Sequence, residues 1–107
     1  SNTDDHLRNH GFILTEEGWR LSPIYDVNPN IDKDSLSLNI TKNDNALSVD
    51  LAIEVAEHFG IDKKDAENIA NEILSAVRDN WRSVAEKNGL SKNAIEYMRP
   101  AFSVTEI

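Results

Sequence analysis

Apolar positions along this chain change their period as the sequence proceeds, and the changes mark out its elements. Two short apolar-rich segments, His10-Gly11-Phe12-Ile13-Leu14 and Trp19-Arg20-Leu21, flank Thr15-Glu16-Glu17-Gly18, whose glycine suits a turn that needs a positive φ. An antiparallel β-hairpin is expected there. Ser22-Pro23 should end its second strand, because proline donates no ladder hydrogen bond and restricts the residue before it. Asn28-Pro29-Asn30 reads as a further turn. In residues 31–47, Leu36, Leu38 and Ile40 alternate with polar neighbours, which predicts a short strand or an extended loop and not a long helix.

From Ser48 onwards the period becomes helical. Ser48 is an expected N-cap for a helix with Val49, Ala52, Ile53, Ala56 and Phe59 at helical spacing, stopped by Gly60. Asp62 should cap a longer helix with a stripe of Ala66, Ile69, Ala70, Ile73, Val77, Trp81 and Val84, ending near Gly89. Ser91 should cap a third helix that turns Ala94, Ile95, Met98 and Phe102 inward, with Pro100 kinking or ending it. The expected fold is therefore α+β and mostly α. A hairpin near the N-terminus precedes a bundle of about three helices over residues 48–104, packed together and against the hairpin.

Composition narrows the classes. At 107 residues the chain is read as a single domain or a fragment of one, with 28% charged and 39% hydrophobic residues and no low-complexity tract. The absence of cysteine rules out disulfides and thiolate metal sites and fits a reducing compartment. No apolar run approaches the ~20 residues of a membrane span, and no basic-then-apolar leader is present, so a cytoplasmic location without membrane contact is expected. A formal net charge of −8 with scattered basic residues argues against direct nucleic-acid binding.

Residues 1–30 hold most of the candidate chemistry. Asp4 and Asn9 are five positions apart, and Asp26 follows across the expected hairpin. This resembles the order in which protein-kinase-like folds place a catalytic aspartate, a metal-binding asparagine and a metal-binding aspartate. Magnesium takes an octahedral shell of oxygens at roughly 2.0–2.1 Å, usually with only one or two protein carboxylates. An amide oxygen from Asn9 and a carboxylate from Asp26 meet that demand, while Asp4 can take a proton from a substrate hydroxyl without joining the metal's shell. Singly, Asp4 or Asp26 is no more than a loop cap or turn acid. Their combination with Asn9 and the hairpin is what points to phosphoryl transfer.

The usual kinase signature carries a His-Arg pair before its base, whereas here His6 follows Asp4. The order Asp4-Asp5-His6-Leu7-Arg8-Asn9 resembles instead the Asp-x-His-x-x-Asn loop of the phosphatidylinositol-kinase-like superfamily. The longer run from Asn2 to Phe12, continued by Gly18-Trp19-Arg20-Leu21-Ser22-Pro23-Ile24-Tyr25-Asp26-Val27-Asn28-Pro29, resembles the C-terminal region of HipA-family kinases, toxins of bacterial toxin–antitoxin pairs. The resemblance is specific over residues 2–29 and looser beyond. It implies a kinase-like C-lobe with Asp4 as general base, Asn9 and Asp26 as magnesium ligands and His6 as a loop-ordering residue. It also implies a serine/threonine kinase acting on proteins of translation and neutralised by a HipB-like helix-turn-helix antitoxin. Tyr25 is expected to orient Asp26 by packing.

A kinase also needs a glycine-rich cover over the phosphates and a lysine to hold them. The four glycines, at 11, 18, 60 and 89, are too dispersed to supply one. The chain is thus expected to be a C-terminal fragment that needs a missing N-terminal lobe, uses Mg2+ and ATP only in the complete enzyme, binds neither tightly alone and is inactive in isolation. Two other classes stay open: a non-catalytic interaction module of a toxin–antitoxin system, and a small metal-dependent hydrolase built on Asp4, Asp5, His6 and Asp26. The His6 and His10 spacing also matches a helical zinc pair, but Gly11 and the strand pattern oppose a helix there.

Overall fold

A computed structural model describes residues 1–106. It is α+β: a 3-10 turn at Leu7–Asn9, strands β1 (Phe12–Thr15) and β2 (Gly18–Leu21), then helices α1 (Val49–Val55), α2 (Lys63–Lys87) and α3 (Lys92–Met98). Further 3-10 turns extend α1 through Ala56–Phe59 and α3 through Arg99–Glu106. Residues 31–47 form an extended loop with one isolated bridge, Ser35 to Ala46. Among the described residues, no helix is long and apolar enough to cross a membrane.

Local chemistry sets the boundaries. The side chains of Ser48, Asp62 and Ser91 accept hydrogen bonds from the backbone N–H groups of Leu51, Asp65 and Ala94, satisfying donors that a helix start leaves unpaired. Gly60 closes the first helical unit with φ 76°, its N–H donating to the last turn. Pro100 sits at the start of the terminal 3-10 turn, where its missing N–H interrupts little, and α3 has already ended at Met98.

The core is small and off-centre. Trp81 of α2 stacks on Phe102 with centroids 4.2 Å apart and planes within 8°. Ile95 and Ala101 are buried around it, and the Arg82 guanidinium lies 4.5 Å above the indole. Two expectations about packing fail. The α2 stripe is not covered along its length: Trp81 is 7% exposed, but Ile73 is 56% and Val84 53% exposed. A 25-residue helix is ~37 Å long at 1.5 Å per residue, and α1 and α3 have seven residues each, so each shields only part of it.

Nor does the hairpin pack against the helices. Its strands pair with each other in the register Phe12 to Leu21, Ile13 to Arg20 and Leu14 to Trp19, and neither touches a helix. Consecutive Phe12, Ile13 and Leu14 put apolar side chains on both faces, so no single face directs the hairpin onto a core. The Cα radius of gyration, 15.7 Å, exceeds the ~13 Å of a compact 100-residue domain.

What joins the two regions is the extended segment at Thr3, which is 1% exposed. The Thr3 N–H donates to Asn30 Oδ1 at 3.0 Å, and Ser37 Oγ donates to the Thr3 carbonyl at 2.8 Å. The Asn30 N–H donates to the Ser1 carbonyl at 2.8 Å, and the Ser1 nitrogen donates to the Ala101 carbonyl.

Trp81→Ala should cost about 3–5 kcal/mol, as aromatic truncation in a core does. Gly60→Ala should cost about 1–2 kcal/mol for forcing a Cβ into the left-handed region. Urea denaturation followed by far-ultraviolet circular dichroism checks both.

Candidate functional site

The site is built on a hydrogen-bonded doubling-back of the chain. His6 is extended, with φ −135°, and the turn Leu7–Asn9 brings the Asn9 side chain back under it. Asn9 Oδ1 accepts from the His6 N–H at 3.1 Å, and the Asn9 N–H donates to the His6 carbonyl at 2.9 Å. Asn9 is 8% exposed, so its amide is held by the protein and not by solvent. The chain then leaves through β1 and returns through β2, the Ser22 N–H extending the ladder to the Gly11 carbonyl at 2.8 Å.

That return delivers Asp26 to Asn9. Asn9 Nδ2 donates to Asp26 Oδ2 at 3.2 Å, linking residues seventeen positions apart. The other carboxylate oxygen accepts from Asn28 Nδ2 at 2.9 Å. Asp26 has φ 55°, the left-handed region that aspartate and asparagine tolerate better than other side-chain-bearing residues. Tyr25 is anchored alongside, its hydroxyl donating to the Arg8 carbonyl at 2.8 Å. The tyrosine therefore acts on the approach of Asp26 to the loop through a hydrogen bond, where the sequence reading expected packing.

Asp4 is the third residue of the expected set. It is exposed, and among the described residues no hydrogen bond ties its carboxylate to Asn9 or Asp26, although Thr3 fixes its backbone on one side. Asp5 is committed elsewhere: its Oδ1 lies 2.9 Å from His10 Nε2, a staple across the turn. A cavity of about 390 Å³ lies at the base of the hairpin, lined by Asn2, Asp5, Asn9, His10, Ser22 and others; of the expected catalytic set only Asn9 is on its wall. His6 Nδ1 and Asn2 Oδ1 are enclosed without a hydrogen-bond partner among the described residues. Asn28, Asn30 and His10 carry parts of this framework that the sequence reading did not assign. Asn-Pro-Asn signalled a turn, but not which donors its amides would meet.

The donor set suits a hard cation. Asn9 contributes an amide oxygen with a lone pair left after its bond to His6, and Asp26 contributes a carboxylate; magnesium takes such oxygens, and few of them from protein. Among the described residues, no three His, Cys, Asp or Glu side chains cluster as an all-protein metal site. The Asp4, Asp5, His6 and Asp26 set required for a hydrolase is thus not gathered as such a site, and the His6 and His10 pair does not sit on one helix.

Substitutions at two positions test the framework. Asp26→Ala and Asp26→Gly remove the same carboxylate but differ in tolerance of φ 55°, so the glycine variant should be the more stable by about 1 kcal/mol in urea. Tyr25→Phe should cost about 0.5–1 kcal/mol, the low end for a hydrogen bond, and should raise amide exchange at Asp26 and Val27.

The model of the HipA-like C-terminal domain matches residues 1–81. Searches of curated proteins and of solved structures gave no match. The family match takes in the Asp4–Asn9 loop, the hairpin, Asp26 and α2 as far as Trp81, and this chain belongs to the HipA-like C-terminal domain family.

Proposed function

We propose that this chain is the C-terminal part of a HipA-like serine/threonine protein kinase that transfers a phosphoryl group from Mg-ATP to a protein hydroxyl. The observation that carries the reading is the contact of Asn9 with Asp26, made across a hairpin and held by a strained aspartate backbone. In this reading Asn9 and Asp26 hold magnesium, which supplies neutralising charge to the phosphates. Asn9 is pre-set for the role by its bond to His6, and Asp26 by Asn28 and by the Tyr25 tether. Asp4, exposed at the start of the loop, accepts the proton of the substrate hydroxyl as general base.

His6 orders the loop through its backbone N–H. The glycine-rich cover, the phosphate-holding lysine and the adenine walls come from a nucleotide-binding lobe outside this sequence. The open apolar faces of the hairpin, with Phe12 67% and Trp19 68% exposed, fit contact with such a lobe. A protein substrate of the translation machinery, a HipB-like antitoxin and a cytoplasmic setting complete the reading. Among the described residues, no gathered metal cluster supports the hydrolase alternative.

Complementation tests the proposal. The chain is mixed with the nucleotide-binding lobe of a HipA-like kinase, magnesium and labelled ATP, with formation of the complex checked by gel filtration. Phosphoprotein should form, and Asp4→Asn should reduce its rate by about 10²–10⁴-fold, the range for loss of a general base. A complex that forms and transfers no phosphate, or whose rate is untouched by Asp4→Asn, would count against the assignment.

A further inference from the structure

Away from the Asn9–Asp26 site, α1, its 3-10 extension and the first half of α2 enclose an apolar groove of about 480 Å³. Val49, Ile53, Phe59, Ile69 and Ile73 are among its walls, and Phe59 and Ile73 are 75% and 56% exposed. A groove of this size is within the range that receives a ligand's apolar groups. Its surroundings are predominantly acidic. Residues 48–73 hold seven carboxylates against two lysines. Asp65 and Glu72 lie one turn on either side of Ile69, on the same helical ridge. Among the described residues, Glu67 has a lysine 4.0 Å away, and no ion pair engages Asp50, Glu54, Glu57, Asp62, Asp65 or Glu72. Asp62 is engaged as the N-cap of α2, and the other five are available to a partner.

We infer that this groove is a docking site for an amphipathic helix of another protein, with an apolar stripe inserted between α1 and α2 and lysine or arginine flanking it. Charge selects this occupant. A second copy of the same chain would bring a further net charge of −8 onto a face already acidic, which opposes self-association there. A basic helix gains from both the apolar walls and the unpaired rim, the mode in which a helix seats i, i+3, i+4 and i+7 anchors in a groove. The inference does not depend on the kinase reading, because the groove shares no residue with the catalytic loop or hairpin.

The test uses the full chain and three synthetic helical peptides of equal length: leucine-striped with lysine flanks, the same stripe with glutamate flanks, and a scramble of the lysine peptide. Fluorescence anisotropy should give saturable binding of the lysine-flanked peptide, at least ten-fold tighter than either control. Ile69→Ser, at a half-exposed position, should weaken it at least ten-fold while leaving the circular dichroism spectrum unchanged. The exposed pair Asp65→Lys with Glu72→Lys should weaken it similarly and reduce its salt dependence. Equal binding of the scramble, no saturable binding, indifference to both variants, or a dimer in sedimentation that dissociates with Ile69→Ser would overturn the inference.

Discussion

Because the hairpin touches no helix, the loop that carries Asn9 is held to the helical body largely by hydrogen bonds to an extended segment three residues long. Thr3 gives its N–H to Asn30 and receives Ser37 at its carbonyl, while Ser1 bonds to Asn30 and Ala101. These bonds are backbone-directed and partly buried, so each fixes position as well as adding stability. Ala101 precedes Phe102 in the terminal 3-10 turn, and Phe102 stacks on Trp81 of α2.

The site itself is assembled by neutral hydrogen bonds around a single carboxylate. Asn9 and Asn28 both donate to Asp26 through amide nitrogens, so the acid is oriented without being neutralised by a cationic side chain. Such an arrangement leaves the negative charge of the carboxylate in place while limiting the directions in which it can face. The separate Asp5–His10 staple closes the turn from its outer side. The result is a loop held on two sides and open where Asp4 lies.

Much of this was legible in the residues. The caps at Ser48, Asp62 and Ser91, the stop at Gly60 and the hairpin turn follow from short-range rules that depend on nearest neighbours in sequence. The meeting of Asn9 with Asp26 was legible as a motif, since the hairpin between them fixes the return path. Burial was read less well. Periodicity marks which face of α2 is apolar, but Ile69 and Ile73 belong to that face and remain half-exposed, because coverage depends on how long the neighbouring helices are. The roles of Asn28 and Asn30 were hidden for a related reason: an amide in a turn meets donors and acceptors set by the tertiary path, and two asparagines flanking one proline look alike in sequence.

The isolation of the hairpin has a consequence for how the molecule comes apart. A two-stranded ribbon joined by a short turn forms on a microsecond scale and has little stability of its own. Opening it would separate Asn9 from Asp26 while leaving all three helices intact. Competence of the site and melting of the fold are then distinct equilibria, and a helix-sensitive signal reports only the second. A partner that clasps the ribbon would raise the population of the assembled loop without changing the helical content at all.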